Sequence, residues 1–254
     1  MGWKMMIAGV LIGLSAYAFG APETEQAPKE TKSMTVAELE KAGDASRYAK
    51  DYPQAIRYFQ EALRKDKKNA SIHNKLGLAE LAGGDTDSAR FAFEKAVKLN
   101  SKYADALNNL GAVYFKENKM GSATKYFKKA VALDETRATF HVNLGAAWFS
   151  QKKIDRSMKE YARALELDPE VFTKTVRVGI VAQITSPEER AKFYYEIAKV
   201  HAKRGDMENC LLCLKKAKEN GYHDLANVYR DDEFSRLWND PRLQEVVPAP
   251  VAAK

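Results

Sequence analysis

The chain is poor in the residues that most often carry chemistry. It has two cysteines and four histidines in 254 residues. The cysteines, Cys210 and Cys213, supply too few ligands for a zinc site. No Gly-rich phosphate loop, no His-Glu-x-x-His and no serine elbow occurs. These absences argue against an enzyme, a metal and a cofactor. A dense tract of one charge is also missing. The formal net charge is +7, but bases alternate with acids, as in Glu61–Lys68 and Lys152–Glu160. That is the pattern of a solvated helix surface, and it argues against nucleic acid as a partner.

Long apolar runs are missing too, with one exception near the start. Lys4 precedes an apolar stretch from Met5 to Phe19, about 15 residues. This is short for a membrane-spanning helix and right for the apolar part of a secretory signal. Ala16, Ala18, Gly20 and Ala21 follow as small residues, and cleavage after Ala18 or Gly20 fits a small-x-small site. No cysteine lies nearby to take a lipid, and Met6 breaks the pattern for myristoylation at Gly2. Residues 1–20 are therefore expected to be a signal peptide and the protein to be exported, periplasmic or secreted. The competing expectation is an uncleaved anchor that leaves the chain membrane-bound and facing outside the cytoplasm. Residues 21–35, rich in Glu, Pro, Lys and Thr, read as a flexible linker.

What is abundant is repetition. Gly43, Gly77, Gly111 and Gly145 are evenly spaced, each separated from the next by the same interval. Three residue types follow every one of them at fixed offsets. The nearest is a small residue: Ala55, Ala89, Ala123, Ser157. An aromatic comes next: Phe59, Phe93, Phe127, Tyr161. An alanine completes the set: Ala62, Ala96, Ala130, Ala164. A period of this kind, within the range of roughly 20–50 residues, denotes a stacked array. Within the third unit, Ala106, Leu107, Leu110, Gly111 and Tyr114 recur at helical spacing. A polar turn follows at Glu117–Gly121, and then a second stripe of Ala123, Tyr126, Phe127, Ala130 and Val131. Helices of about 13 residues are marginal alone and require packing.

This pattern resembles the tetratricopeptide repeat family. The matching residues are Leu107, Leu110, Gly111 and Tyr114 in the first helix, and Ala123, Phe127 and Ala130 in the second. The resemblance implies an all-α fold: a right-handed superhelical solenoid of antiparallel helix pairs with C-terminal capping helices. Four units are expected within 36–171: 36–69, 70–103, 104–137 and 138–171. The first departs from the pattern at Ala42 and Ser46. Residues 172–190 read as an irregular insert and helix start, with Ser186-Pro187-Glu188-Glu189 as a capping signal. A degenerate fifth unit follows at 191–224. Capping helices are expected at 225–247, with Phe234, Leu237 and Trp238 on one face, and a tail at 248–254.

The resemblance also implies where a ligand sits, on the concave face lined by first helices. The candidates for binding a protein or peptide are Asn74, Lys75, Leu78, Leu81, Asn108, Asn109, Phe115, Asn143 and Phe149, with Ala112 and Ala146 between them. Asn109 and Asn143 share one repeat position, and carboxamides both donate and accept. Leu81, Phe115 and Phe149 share another and make an apolar stripe. The family's carboxylate clamp is poorly matched, since Leu78 and Thr139 stand where it needs Asn and Lys. The expected function is a non-catalytic interaction scaffold. A structural component of an envelope assembly and a thiol-redox module through Cys210 and Cys213 are the alternatives. Cys210 occupies the small-residue slot, and His73, His141 and His201 occupy packing slots.

Overall fold

A methyl group at any of the four periodic glycines has nowhere to go. A Cβ on Gly43, Gly77, Gly111 or Gly145 falls 2.5–2.7 Å from the ring of Phe59, Phe93, Phe127 or Tyr161. The backbone of each first helix thus rests directly on the ring of its second helix, and that ring is fully buried. Each such ring contributes roughly 1.5–3 kcal/mol of apolar burial. The glycine costs helix propensity but allows the close approach that stabilises the hairpin.

The computed structural model describes residues 29–172 and 186–248. A short helix α1 (Lys29–Ser33) leads into four hairpins of like construction. The pairs are α2 (Val36–Tyr48) with α3 (Tyr52–Lys65), α4 (Ala70–Ala82) with α5 (Thr86–Leu99), α6 (Ala104–Lys116) with α7 (Met120–Leu133), and α8 (Ala138–Ser150) with α9 (Ile154–Leu167). A fifth pair is α10 (Pro187–Arg204) with α11 (Met207–Glu219). Two 3₁₀ segments, Leu225–Tyr229 and Asp232–Leu237, and the short helix α12 (Pro241–Val246) close the described chain. Each helix packs on its partner, and through the fourth pair each second helix packs on the next first helix. No strand occurs among the described residues.

Local chemistry sets the helix ends. Thr35 and Glu38 form a reciprocal capping box on α2. Asp51, Asn69, Asp85 and Asp206 cap α3, α4, α5 and α11 with their side chains. In the first four pairs each intra-pair turn contains one residue in the left-handed region at the same repeat position: Lys50, Gly84, Asn118 and Lys152. Only Gly84 and Asn118 suit that conformation without cost.

The fifth pair follows the same logic with different parts. Ala198 and Leu214 stand where the other pairs have glycine and an aromatic, so a methyl is added where a ring is removed. Both are fully buried. The pair is joined to α9 by an aromatic cluster in which Tyr161, Phe172 and Phe193 meet edge to face at 5.3–6.0 Å. The cap then covers the far side. Phe234, Leu237, Leu243 and Val247 are buried against it, Trp238 donates to the Val228 carbonyl, and Tyr195 donates to Asp231. An array leaves its last apolar face open unless a terminal segment covers it.

One detail differs from the expectations. Residues 29–33, placed in the flexible linker, form α1, where Thr31 is buried and the Lys32 carbonyl accepts from Lys65. The segment starting at Asp232, within the expected capping helices, takes the tighter 3₁₀ form. The signal segment, residues 173–185 of the irregular insert, and tail residues 249–254 lie outside the described residues. Among the described residues no helix is long and apolar enough to cross a membrane.

Candidate functional site

The candidate groove residues lie on the first helices α4, α6 and α8, but they do not form one open surface. Asn109 on α6 donates to the Asn74 carboxamide on α4 at 2.9 Å. Asn143 on α8 donates to Asn108 on α6 at 2.8 Å. Lys75 on α4 reaches Glu40 on α2 at 2.7 Å and Asp44 at 2.5 Å. All three junctions obey one rule: the sixth residue of a unit bonds the fifth residue of the unit before it. The first helices are stitched side by side through this row. Burial opposes the Lys75 charge, but Asp44 and Glu40 outweigh it and hold the ammonium above its ordinary range.

The row joins two repeat positions rather than one. Asn109 and Asn143 are equivalent, yet each bonds a residue of the other asparagine position, Asn74 or Asn108. The signal was present in the sequence as adjacent amides at 108 and 109, which face partners in the units on either side. The row stops at α8 because its fifth residue is Val142, which is buried in the C-terminal core.

Burial sorts the remaining candidates. Asn108, Asn109, Asn143, Leu78, Leu81 and Ala112 are half-buried. Leu78 and Leu81 lie against the cluster of Phe93, Leu110 and Val113. Phe115 and Phe149 are only 6% and 4% exposed. Phe115 packs with Leu144, Ala147 and Trp148, and Phe149 meets Phe193 edge to face at 6.0 Å. They hold the array together and offer a ligand almost no surface. Ala146 is buried as well.

A second concavity was not foreseen. α9 and α10 are separated by a cleft of about 690 Å³, floored by Ile154, Met158, Ala162 and Val200. Lys159, Lys199, Lys203, Glu196 and Glu233 rim it. Lys199 is tied to Asp231 at 2.7 Å and Lys203 to Glu233 at 3.2 Å, so the rim charges are largely paired within the chain.

The thiols are free and buried. Burial pushes Cys210 well above its ordinary range and Cys213 up to about 12. A redox-active cysteine needs the opposite shift. His141 lies 2.7 Å from Glu160, and His201 lies 3.0 Å from Asp206; both histidines are buried. Among the described residues no group of three or more His, Cys, Asp or Glu is placed to hold a metal ion.

Comparison with solved structures returns helical-repeat proteins. A crystal structure of MamA shares 23% identity, with a TM-score of 0.51 over 70% of this chain and 93% of that one. MamA from Desulfovibrio magneticus RS-1, spanning residues 41 to its end, shares 19%, with a TM-score of 0.53 over 73% and 94%. YrrB, described as a TPR protein with an unusual peptide-binding site, shares 20%, with a TM-score of 0.51 over 77% and 91%. At these identities the likeness concerns the fold. No functionally curated protein sequence matches. The tetratricopeptide repeat model matches residues 41–97, 75–138 and 122–171, more than half of the chain. With that match, the glycine-on-ring hairpins and the all-α, right-handed superhelical solenoid they build, the chain belongs to the tetratricopeptide repeat family.

Proposed function

We propose that the protein is an exported, non-catalytic scaffold whose first-helix face binds an extended segment of a protein partner. One observation carries this reading: the asparagine row is fixed in place yet not used up. A carboxamide has two donor hydrogens and two acceptor lone pairs. Asn109 and Asn143 each donate one hydrogen, and Asn108 accepts one. All three are half-buried. Their remaining donors and acceptors are oriented before any ligand arrives, which reduces the ordering cost of binding. An extended backbone presents alternating N–H and C=O groups that such amides satisfy without regard to side chains. The half-buried Leu78, Leu81 and Ala112 supply apolar contact beside them. The peptide-binding site named for YrrB is consistent with this use of the fold.

The test is a triple variant, N108A/N109A/N143A, assayed against an extended-peptide array beside the parent chain. Peptide capture is expected to fall at least tenfold while helical content by circular dichroism is retained. Capture at the parental level by a folded triple variant overturns the groove. Export is tested separately, by N-terminal sequencing of the protein from fractionated cells. Processing after Ala18 or Gly20 supports release; an intact N-terminus in the membrane fraction replaces release with anchoring.

A further inference from the structure

The second repeat departs from its neighbours at three positions that meet in space. At the position of Glu80 the first, third and fourth units carry Ser46, Tyr114 and Trp148. At that of Ala92 they carry Tyr58, Tyr126 and Glu160, and at that of Phe91 they carry Arg57, Lys125 and Lys159. In the third unit the two tyrosines stack, with ring centroids 5.5 Å apart. In the second unit both rings are gone. A cavity of about 330 Å³ lies between α4 and α5, lined by Glu80, Ala92, His73 and Phe91 among others.

What the cavity presents is specific. Glu80 is only 8% exposed, and its buried Oε2 has no hydrogen-bond partner among the described residues. A buried carboxyl oxygen left unpaired is costly and points to a missing donor. Burial, with the negative charge of Asp85 adding to it, raises the Glu80 carboxyl to about 7, so it holds its proton until a cation arrives to stabilise the carboxylate. His73 supplies a second acceptor. Its Nε2 lies 3.2 Å from the Lys67 carbonyl, which can only accept, so Nε2 carries the hydrogen. Burial keeps the ring neutral by lowering its pKa, leaving Nδ1 as an acceptor. In the fourth unit the matching Nδ1, that of His141, meets Glu160 at 2.7 Å. In the second unit Ala92 replaces that glutamate, so His73, which lines the cavity, has no carboxylate at that position. Phe91 at the mouth is 71% exposed, where the first, third and fourth units place a base. The chain has removed its own cation here and left an exposed ring, which attracts cations through its face.

We propose that this cavity is a socket for a lysine side chain of a protein partner, with Glu80 and His73 accepting from the ammonium and Phe91 covering its stem. An ammonium has three donors for two acceptors, and its apolar stem suits a cavity that aromatic rings occupy in the neighbouring unit. The socket lies on a different face of α4 from Asn74, so it neither uses nor requires the asparagine row.

The experiment uses the full chain and the peptide Ac-Gly-Lys-Gly-NH₂ at pH 8, followed by NMR of Glu80, His73 and Phe91. Saturable shifts at all three are expected, and the Glu80 titration midpoint is expected to drop by about one pH unit in the bound state. The norleucine peptide, which lacks the charge, is expected to bind at least tenfold more weakly. E80Q, an isosteric change, is expected to lose at least tenfold, and A92Y to block binding by refilling the space, both with unchanged circular dichroism. Equal binding of the lysine and norleucine peptides, parental binding by E80Q, or no saturable shift overturns the proposal. Free butylamine that binds while the peptide does not overturns the assignment to a protein side chain.

Discussion

Tyr161 is the one ring in the glycine-contact position that carries a hydroxyl, and that hydroxyl is buried with no hydrogen-bond partner among the described residues. The nearby Ser157 hydroxyl donates to the Gly145 carbonyl at 2.8 Å instead. Burial holds the Tyr161 phenol far above its ordinary range, against a smaller opposing effect of the nearby Ser157 hydroxyl, whose geometry falls short of a hydrogen bond. The first three units place phenylalanine here: Phe59, Phe93 and Phe127. Tyr161→Phe keeps the ring, its contact with Gly145 and its edge-to-face contacts with Phe172 and Phe193. It removes only the orphan oxygen. An unsatisfied buried polar group costs about 1–3 kcal/mol, so the substitution is expected to stabilise the chain by about 1–2 kcal/mol. For a chain of this size that is a rise in melting temperature of roughly 3–6 °C. Urea unfolding is the assay, read as a shift in midpoint at unchanged slope. The mirror change, Phe127→Tyr, places an orphan oxygen in the third unit and is expected to destabilise by about 1–3 kcal/mol. Tyr161→Phe that destabilises by more than about 0.5 kcal/mol shows that the hydroxyl has a partner, and refutes the reasoning.

Gly111→Ala forces a methyl to within 2.7 Å of the buried Phe127 ring. Overpacking of about 1–3 kcal/mol exceeds the gain of roughly 1 kcal/mol in helix propensity, so net destabilisation is expected in thermal unfolding, with partial rescue by Phe127→Leu. Lys152 has φ of 60°, and Lys152→Gly is expected to stabilise by about 1 kcal/mol in the same assay. Glu80 has its carboxyl raised to about 7 in the folded chain, above its unfolded value. The folded state therefore holds its proton more tightly, and stability is lost as pH rises from about 4.5 toward 7. Glu80→Gln removes that dependence: it should match the parent near pH 4 and exceed it by about 2 kcal/mol at pH 8, measured by urea unfolding at both pH values.

The sequence alone reveals the array because its determinants are local in register. A glycine, then an aromatic and an alanine at fixed offsets within the same unit, specify one hairpin, and repetition specifies the stacking. The fifth pair was readable for a related reason: Ala198 and Leu214 roughly preserve the volume of the pair they replace. The groove was less legible. Repeat position identifies which side chains share a helix face, but not how far each reaches across to the next helix. Phe115 and Phe149 occupy groove positions yet are drawn inward, because the following helices present Leu144, Trp148 and Phe193 to them. Asn109 and Asn143 share a repeat position, yet each is partly used by a bond to the preceding unit's neighbouring position, Asn74 or Asn108, which repeat position alone does not reveal.

The positions that break the repeat carry information of a different kind. A ring lost from one unit leaves a space, and whether that space matters depends on what lines it. In the first unit the residue in the slot of Glu80 is a serine and the one in the slot of Ala92 is Tyr58, so only one of the two rings is lost. In the fourth, Trp148 fills the first slot and Glu160 pairs with His141. Among the first four units, only the second loses both rings, leaves a buried carboxyl oxygen, Glu80 Oε2, without a partner among the described residues, and exchanges the surface base for Phe91. Each change alone is a tolerable local defect of about 1–3 kcal/mol. Their coincidence in one cavity, with every change favouring an external cation, is what separates a binding feature from drift in a packing slot.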